Sequence, residues 1–470
     1  MSGVSIARYE IRRLLRDRAL PVLLVLLLAL GAYAAWNGRA WVDQREAAIA
    51  LIKQEEQQTK ERSRAFVGKA PSVLPRAQPV LAPSTMAPLS IGQADAYPYT
   101  ADVVALGDPT QLLKHVWADI GNPAARAAGR FDLAFVIVFL LPLVILVATH
   151  DLWSRERERG IAALVLSQPV SATRLLVVKV LARGLVVLLR TPLREAIKRL
   201  ASEGLVVLLP ALVIIVAVAI GAGARSPAGL AMLALTVLLY GAFWLALALL
   251  IGCVARRTTE AAIAGGALWL LIVVMAPSLT LATVNLIAPP PSQMQFATEV
   301  KAMQSDIAKR QQREHATSAP VGSPSPVIPD TVRQAYVERV AADRELAHLI
   351  ASHAQAEAAH RQVLGRVRLL LPAVATQDAL DRIAGSDADR ALDFQQQVHA
   401  FWQARRLLHK DYLDRDAPQT LEEYDALPRF QYREPAGTAR PGVLADLAAL
   451  IIATLLVLLA VGALRSRLEP

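Results

Sequence analysis

Six stretches of the chain run almost without charged residues: Ala19–Trp36, Phe131–Thr149, Gly204–Gly223, Ala228–Ala255, Ala261–Leu286 and Val443–Leu464. Each is close to, or longer than, the ~20 apolar residues that a helix needs to cross the hydrocarbon core. Apolar positions are consecutive within them, not spaced at period 2 or 3.6, so lipid is part of their expected solvent. Only a helix satisfies its own backbone groups in lipid, and each stretch is therefore read as a helix. The expected fold class is an all-α polytopic membrane protein, six transmembrane helices with a large, mainly helical extracytoplasmic domain.

Basic residues orient these helices. Arg8, Arg12, Arg13, Arg16 and Arg18 precede the first run, and Arg155, Arg157, Arg159, Arg174 and Lys179 follow the second. Arg256 and Arg257 join the fourth to the fifth, and Arg465 and Arg467 follow the sixth. With six crossings all four groups share one side, which the positive-inside rule makes cytoplasmic, with both termini. The predicted plan is an interfacial helix (1–18), spans at 19–36, 131–149, 204–223, 228–255, 261–286 and 443–464, outer loops at 37–130 and 287–442, a cytoplasmic region at 150–203 and a tail at 465–470. In residues 1–18, Val4, Ala7, Ile11, Leu14 and Leu15 share one helical face with arginines around the other, the pattern of a helix lying in the interface. The alternative for this segment is a frayed basic tail.

The first outer loop opens with a charged helical stretch, Val42–Arg64. It continues through Pro71, Pro75, Pro79, Pro83 and Pro88, which exclude regular helix and central strand. The second is helical at both ends, with a hinge expected at APVGSPSPVIP (Ala319–Pro329). At Gly184–Leu189 and Gly204–Leu209 the sequence GLVVLL occurs twice, with a basic insert between the copies. Spanning by the first copy would put Arg190, Arg194, Lys198 and Arg199 outside, so 190–203 is read as a cytoplasmic or interfacial insertion.

Composition agrees with a membrane chain: 54% of the 470 residues are hydrophobic, with a mean hydropathy of +0.38. The net charge of +10 sits beside the apolar runs, where it orients spans, and nucleic acid is not an expected partner. With one cysteine, Cys253, an intrachain disulfide is excluded. The first apolar run is not followed by a small-residue cleavage site and reads as a retained anchor.

Chemistry-bearing motifs are few. No HExxH, GxSxG or CxxC occurs, nor the phosphate-cradling GxxxxGK[ST], so any ATP hydrolysis belongs to another chain. His353 and His360, seven apart on a predicted helix with Glu357 between them, are the candidate metal pair. A site would ordinarily need i,i+4 spacing and a further close ligand, so a solvated helix face is the favoured reading. Asp132 and His150 mark the ends of the second span and read as boundary residues, and the later spans hold almost no charge. Tyr240, Phe243, Trp244 and Trp269 are candidates to line a dimer path, with packing the alternative.

Between the second and third spans, Asp151–Arg159 alternates in charge, Gly160 permits a sharp turn, Ile161–Leu166 forms a short apolar helix and Pro169 stops it. This pattern suits either a docking element for a soluble partner or an ordinary solvated loop. The segment resembles the coupling region of ABC type-2 exporter permeases, in which an ExExG stretch leads through a short helix to a Ser-x-Pro turn; the matching positions are Glu156, Glu158, Gly160, Ser167 and Pro169. More narrowly, GRFDLAF (Gly129–Phe135) and the stretch Pro372–Asp387 resemble a bacterial subgroup with large periplasmic loops, related to gliding-motility and nitrous-oxide-accessory permeases. The resemblance implies an inner-membrane permease working as a dimer with itself or a sister permease. ABC ATPase subunits carrying ATP and Mg would dock on the coupling helices, and periplasmic partners are a further implication.

Overall fold

The computed structural model describes residues 19–69, 73–113, 130–149, 209–317, 330–415, 419–435 and 441–464. Among them the fold is all-helical, with α1 Ala19–Arg64, α2 Leu133–Thr149, α3 Leu209–Gly221, α4 Pro227–Val254, α5 Thr258–Ile287, α6 Gln293–Thr317, α7 Asp330–Val367, α8 Pro372–Ala384, α9 Ala388–Arg415, α10 Leu421–Asp425 and α11 Pro441–Ala463. Of these, α4, α5 and residues 442–463 of α11 are long and apolar enough to cross a membrane, while α2 and residues 212–221 of α3 are shorter apolar helices.

The first helix departs from the expected boundary at Trp36. α1 continues unbroken for 46 residues, about 69 Å at 1.5 Å per residue, from an apolar beginning into the charged stretch. The physical reason lies in residues 40–64, which are rich in Ala, Glu, Gln, Lys and Arg and contain neither Gly nor Pro. Hydropathy marks where the solvent changes, and nothing in the backbone chemistry stops the helix there.

Prolines leave a different mark. α2 is π-helical at Val136–Leu140 and α5 at Leu270–Met275, just before Pro142 and Pro277. Proline has no N–H and its ring clashes with the carbonyl four residues back, so the preceding turn widens. In an apolar bundle the displaced carbonyls need other donors. Tyr240 Oη donates to the Val138 carbonyl at 2.9 Å, and Trp269 Nε1 to that of Phe139 at 3.1 Å. Ser278 Oγ donates to the Val274 carbonyl at 2.9 Å.

The apolar core is built on α4, whose Leu233, Tyr240 and Trp244 are fully enclosed, with Leu133 and Ile137 of α2 and Leu450 of α11. α8 lays Ala373, Leu380 and Ala384 on the same core. The polar part has smaller cores of its own, one of them packing Trp41 and Val42 of α1 on Ala87 and Ile91. Phe394, Val398 and Trp402 of α9 pack on Ala77, Ala101 and Val103, and α6 pairs with α7 through Val300, Ile307 and Leu346. Between α1 and α2, residues 73–113 form an irregular strap held by bridges Ala77–Val103 and Val80–Thr100. Its prolines keep it out of α-helix and sheet, leaving only single 3₁₀ turns at Ala87–Leu89 and Pro109–Gln111.

Candidate functional site

The best-built polar constellation joins the strap and α8 to the middle of α1 and the beginnings of α2 and α11. It begins with Asp132, the N-cap of α2, which is 3% exposed. Its carboxylate accepts from Phe135 N–H at 2.8 Å within its own helix and from Ile91 N–H of the strap at 2.9 Å. The aspartate that caps α2 is thus also the anchor of the strap. Nearby, Asn37 Nδ2 of α1 donates to the Phe131 carbonyl at 2.9 Å. Asp95 of the strap gathers Trp41 Nε1 (3.0 Å), Arg45 (2.9 Å) and Arg130 (2.8 Å).

On the other side of the strap stands Asp381 of α8. Its Oδ1 accepts from Ser90 Oγ at 2.6 Å and from Gln377 Nε2 at 2.8 Å, and Ser386 O accepts from Gln93 N–H at 3.1 Å. Burial pushes the Asp381 carboxyl up to about 8 although both donors favour its anion; the neighbouring Asp132 and Asp378 add to the rise. Gly92, at φ +47, makes this closeness sterically feasible: a Cβ there would lie 2.6 Å from Ser386 Oγ and 2.7 Å from Asp381 Oδ1. The two stretches singled out in the sequence, Gly129–Phe135 and Pro372–Asp387, therefore meet across the three residues Ser90–Gly92.

One span carries a buried charge that hydropathy passed over. Asp446, in the first turns of α11, has no exposed surface and lies 3.5 Å from Arg368 and 3.7 Å from Arg382. Both arginines also hold Asp378 at 2.6 Å, and Arg382 reaches Asp389 at 2.5 Å. Gly442 lets Arg382 approach, because a Cβ at that position would stand 2.6 Å from the guanidinium. A single Asp in a long apolar run lowers hydropathy too little to be noticed. Its spacing from an arginine-bearing helix 64 residues earlier is a tertiary fact.

The other sequence candidates fall as follows. Glu156, Glu158, Gly160, Ser167 and Pro169 lie outside the described residues, as do His150, the 190–203 insertion, the 1–18 segment, the expected hinge at 319–329 and the 465–470 tail. His353 stacks on Phe296 and faces Glu357 at 3.3 Å, while His360 Nδ1 is 2.7 Å from the Ala288 carbonyl. Among the described residues no three His, Cys, Asp or Glu side chains converge as a metal site would require. Tyr240, Phe243 and Trp244 are buried in edge-to-face contacts, and Cys253 is buried.

This arrangement has the chemistry of a mechanical joint. It ties a polar helical body to an apolar bundle through buried hydrogen bonds and ion pairs. No curated protein matches the chain. The family described as ABC-2 family transporter protein matches residues 4–466, nearly the whole sequence, and its members work with ABC ATPase partners. The chain thus belongs to the ABC-2 transporter family, as a multi-pass membrane permease subunit of an ABC transporter.

Proposed function

We propose that this permease serves an exporter of the bacterial inner membrane, crossing the bilayer six times with both termini cytoplasmic and working as a dimer with itself or a sister permease. A separate ATPase docks on residues 150–203, with Glu156 and Glu158 meeting basic or amide groups of the partner and Gly160, Ser167 and Pro169 shaping the short helix between them. The observation that carries this reading is the ExExG stretch placed between two apolar segments of a family member. In this orientation the joint at Ser90–Gly92 and the polar helices face the periplasm.

Co-purification of the chain with an ATPase encoded beside it is the direct test. Glu156→Ala with Glu158→Ala is expected to abolish ATPase association while the permease still reaches the membrane in normal amount. Unchanged association and unchanged export would remove the assigned role of this loop.

A second reading is favoured by the continuity of α1 from apolar segment to polar helix and by the joint that clamps it. In this version ATP turnover moves the polar body to act on periplasmic partners, and no substrate crosses. Demonstration of an efflux that depends on the chain would decide against it.

A further inference from the structure

Between α1, the strap and residues 427–434 runs a cleft made of two cavities. The lower, about 610 Å³, is floored by the first turns of α4 and α11 (Ser226, Gly229, Met232, Val443) and walled by Met86 and Ile383. The upper, about 310 Å³, lies between Glu56 and Lys60 of α1, the strap at Pro75–Gln78, Arg405, and Arg429. Both are lined by Lys53, Val80, Phe430 and Gln431, so they are continuous there. The lower end lies where α4 and α11 begin, and the upper end is where Lys60, Arg405 and Arg429 gather.

Charge along the cleft is uneven. Glu434 pairs with Arg390, and Glu56 accepts from the Gln78 N–H at 3.0 Å. Arg76 is taken by Asp102, and Arg382 by Asp378 and Asp389. Among the described residues Lys53, Lys60 and Arg429 have no carboxylate partner, although Lys60 lies 5.7 Å from the Tyr424 ring centre. Arg405 adds a fourth cation: it is only 3% exposed, its Nη2 donates to the Pro75 carbonyl and Glu56 lies on the same wall, while its Nε has no hydrogen-bond partner and burial holds its guanidinium below the ordinary value. A buried cation with an unpaired donor is costly unless an anion approaches it.

We propose that this cleft binds an amphiphile with an anionic head, taken from the bilayer, the head among Lys53, Lys60, Arg405 and Arg429 and the chain along Met86, Met232, Ile383 and Val443. The size suits such a ligand, since binding cavities typically enclose about 300–1,000 Å³ with a few placed polar groups. The inference rests on the export reading, for which it names the substrate class. Its test uses the isolated chain and no ATPase, so a failure of one is separable from a failure of the other.

Full-length protein in detergent is offered phosphatidylglycerol, phosphatidylcholine of the same acyl composition, or inorganic phosphate, and retention is read by native mass spectrometry. Phosphatidylglycerol is expected to be retained at least about tenfold better than phosphatidylcholine, from about fivefold per cation engaged. The triple variant Lys53→Glu, Lys60→Glu, Arg429→Glu is expected to lose the preference, and Lys53→Arg, Lys60→Arg, Arg429→Lys to keep it. A photoactivatable fatty acid on the unmodified protein should label Met86 or Met232 and the 427–434 segment, a readout that does not depend on any variant folding. Equal retention of both lipids, capture of phosphate as strong as that of the anionic lipid, or labelling confined to other surfaces would overturn the proposal.

Discussion

α4 and α5 are consecutive, similar in length and both strongly apolar, yet 67% of the most apolar window of α4 is buried against 11% of that of α5. Ile263, Leu279, Leu286 and Ile287 of α5 are all more than half exposed, whereas Tyr240 and Trp244 of α4 are fully enclosed. Lipid tails are as apolar as leucine, so the hydrophobic effect that separates inside from outside in water does not distinguish these helices. What distinguishes them is packing and hydrogen bonding. α4 lies among α2, α8 and α11 with a tyrosine serving the carbonyl that Pro142 leaves free, while α5 touches the bundle along a narrow seam that includes Trp269.

The sharpest way to break the contrast is through the ion cluster that joins α8 to α11, the two helices that pack on α4. Arg382→Ala leaves Asp378 and Asp446 with Arg368 alone, and loss of one partner from a buried ion cluster costs about 3–5 kcal/mol. Chemical unfolding in detergent micelles, followed by tryptophan fluorescence, should show that drop, with Arg382→Lys recovering part of it. Next in size is Trp244→Ala, expected to cost about 3 kcal/mol because a fully packed ring in contact with Tyr240 and Phe243 is replaced by a cavity. A value near zero would mean that α4 is not enclosed.

Another test concerns pH. Asp381 is held up to about 8 in the fold and returns to about 4 when unfolded. Folding therefore takes up a proton. The contribution of this carboxyl is fully present below about pH 4 and is lost as pH rises through about 8. Asp381→Asn keeps an acceptor for Ser90 and should flatten the slope of stability against pH across that window; an unchanged slope would assign it to other groups. The smallest effect is expected in α5, where Ile263→Ala should fall within about 0.5 kcal/mol, as for exposed positions generally. A loss of several kcal/mol there, appearing only at protein concentrations that favour association, would show that a second copy covers this face.

Much of the framework was legible before any coordinates. Apolar run lengths located α4, α5 and α11 to within a few residues, and Pro75, Pro79, Pro83 and Pro88 forecast a strap without α-helix or a regular strand. Ser226 and Asp132 are cap residues by type as well as by position. The candidate site was legible only in fragments. GRFDLAF and Pro372–Asp387 were noticed separately, and nothing in either indicates that Ser90 stands between them. Asp446 was hidden because one carboxylate barely alters the average of a long apolar window.

The amino-acid order alone determined which segments are long apolar runs and where proline forbids regular structure, since each follows from local chemistry. Only the tertiary structure decided that α1 carries through from apolar to polar surroundings, that Asp381 and Asp132 grip the same short turn, and that α4 is enclosed while α5 is bare. These depend on contacts between residues tens to hundreds of positions apart, and in lipid such contacts are chosen by shape and hydrogen bonding, which hydropathy does not record.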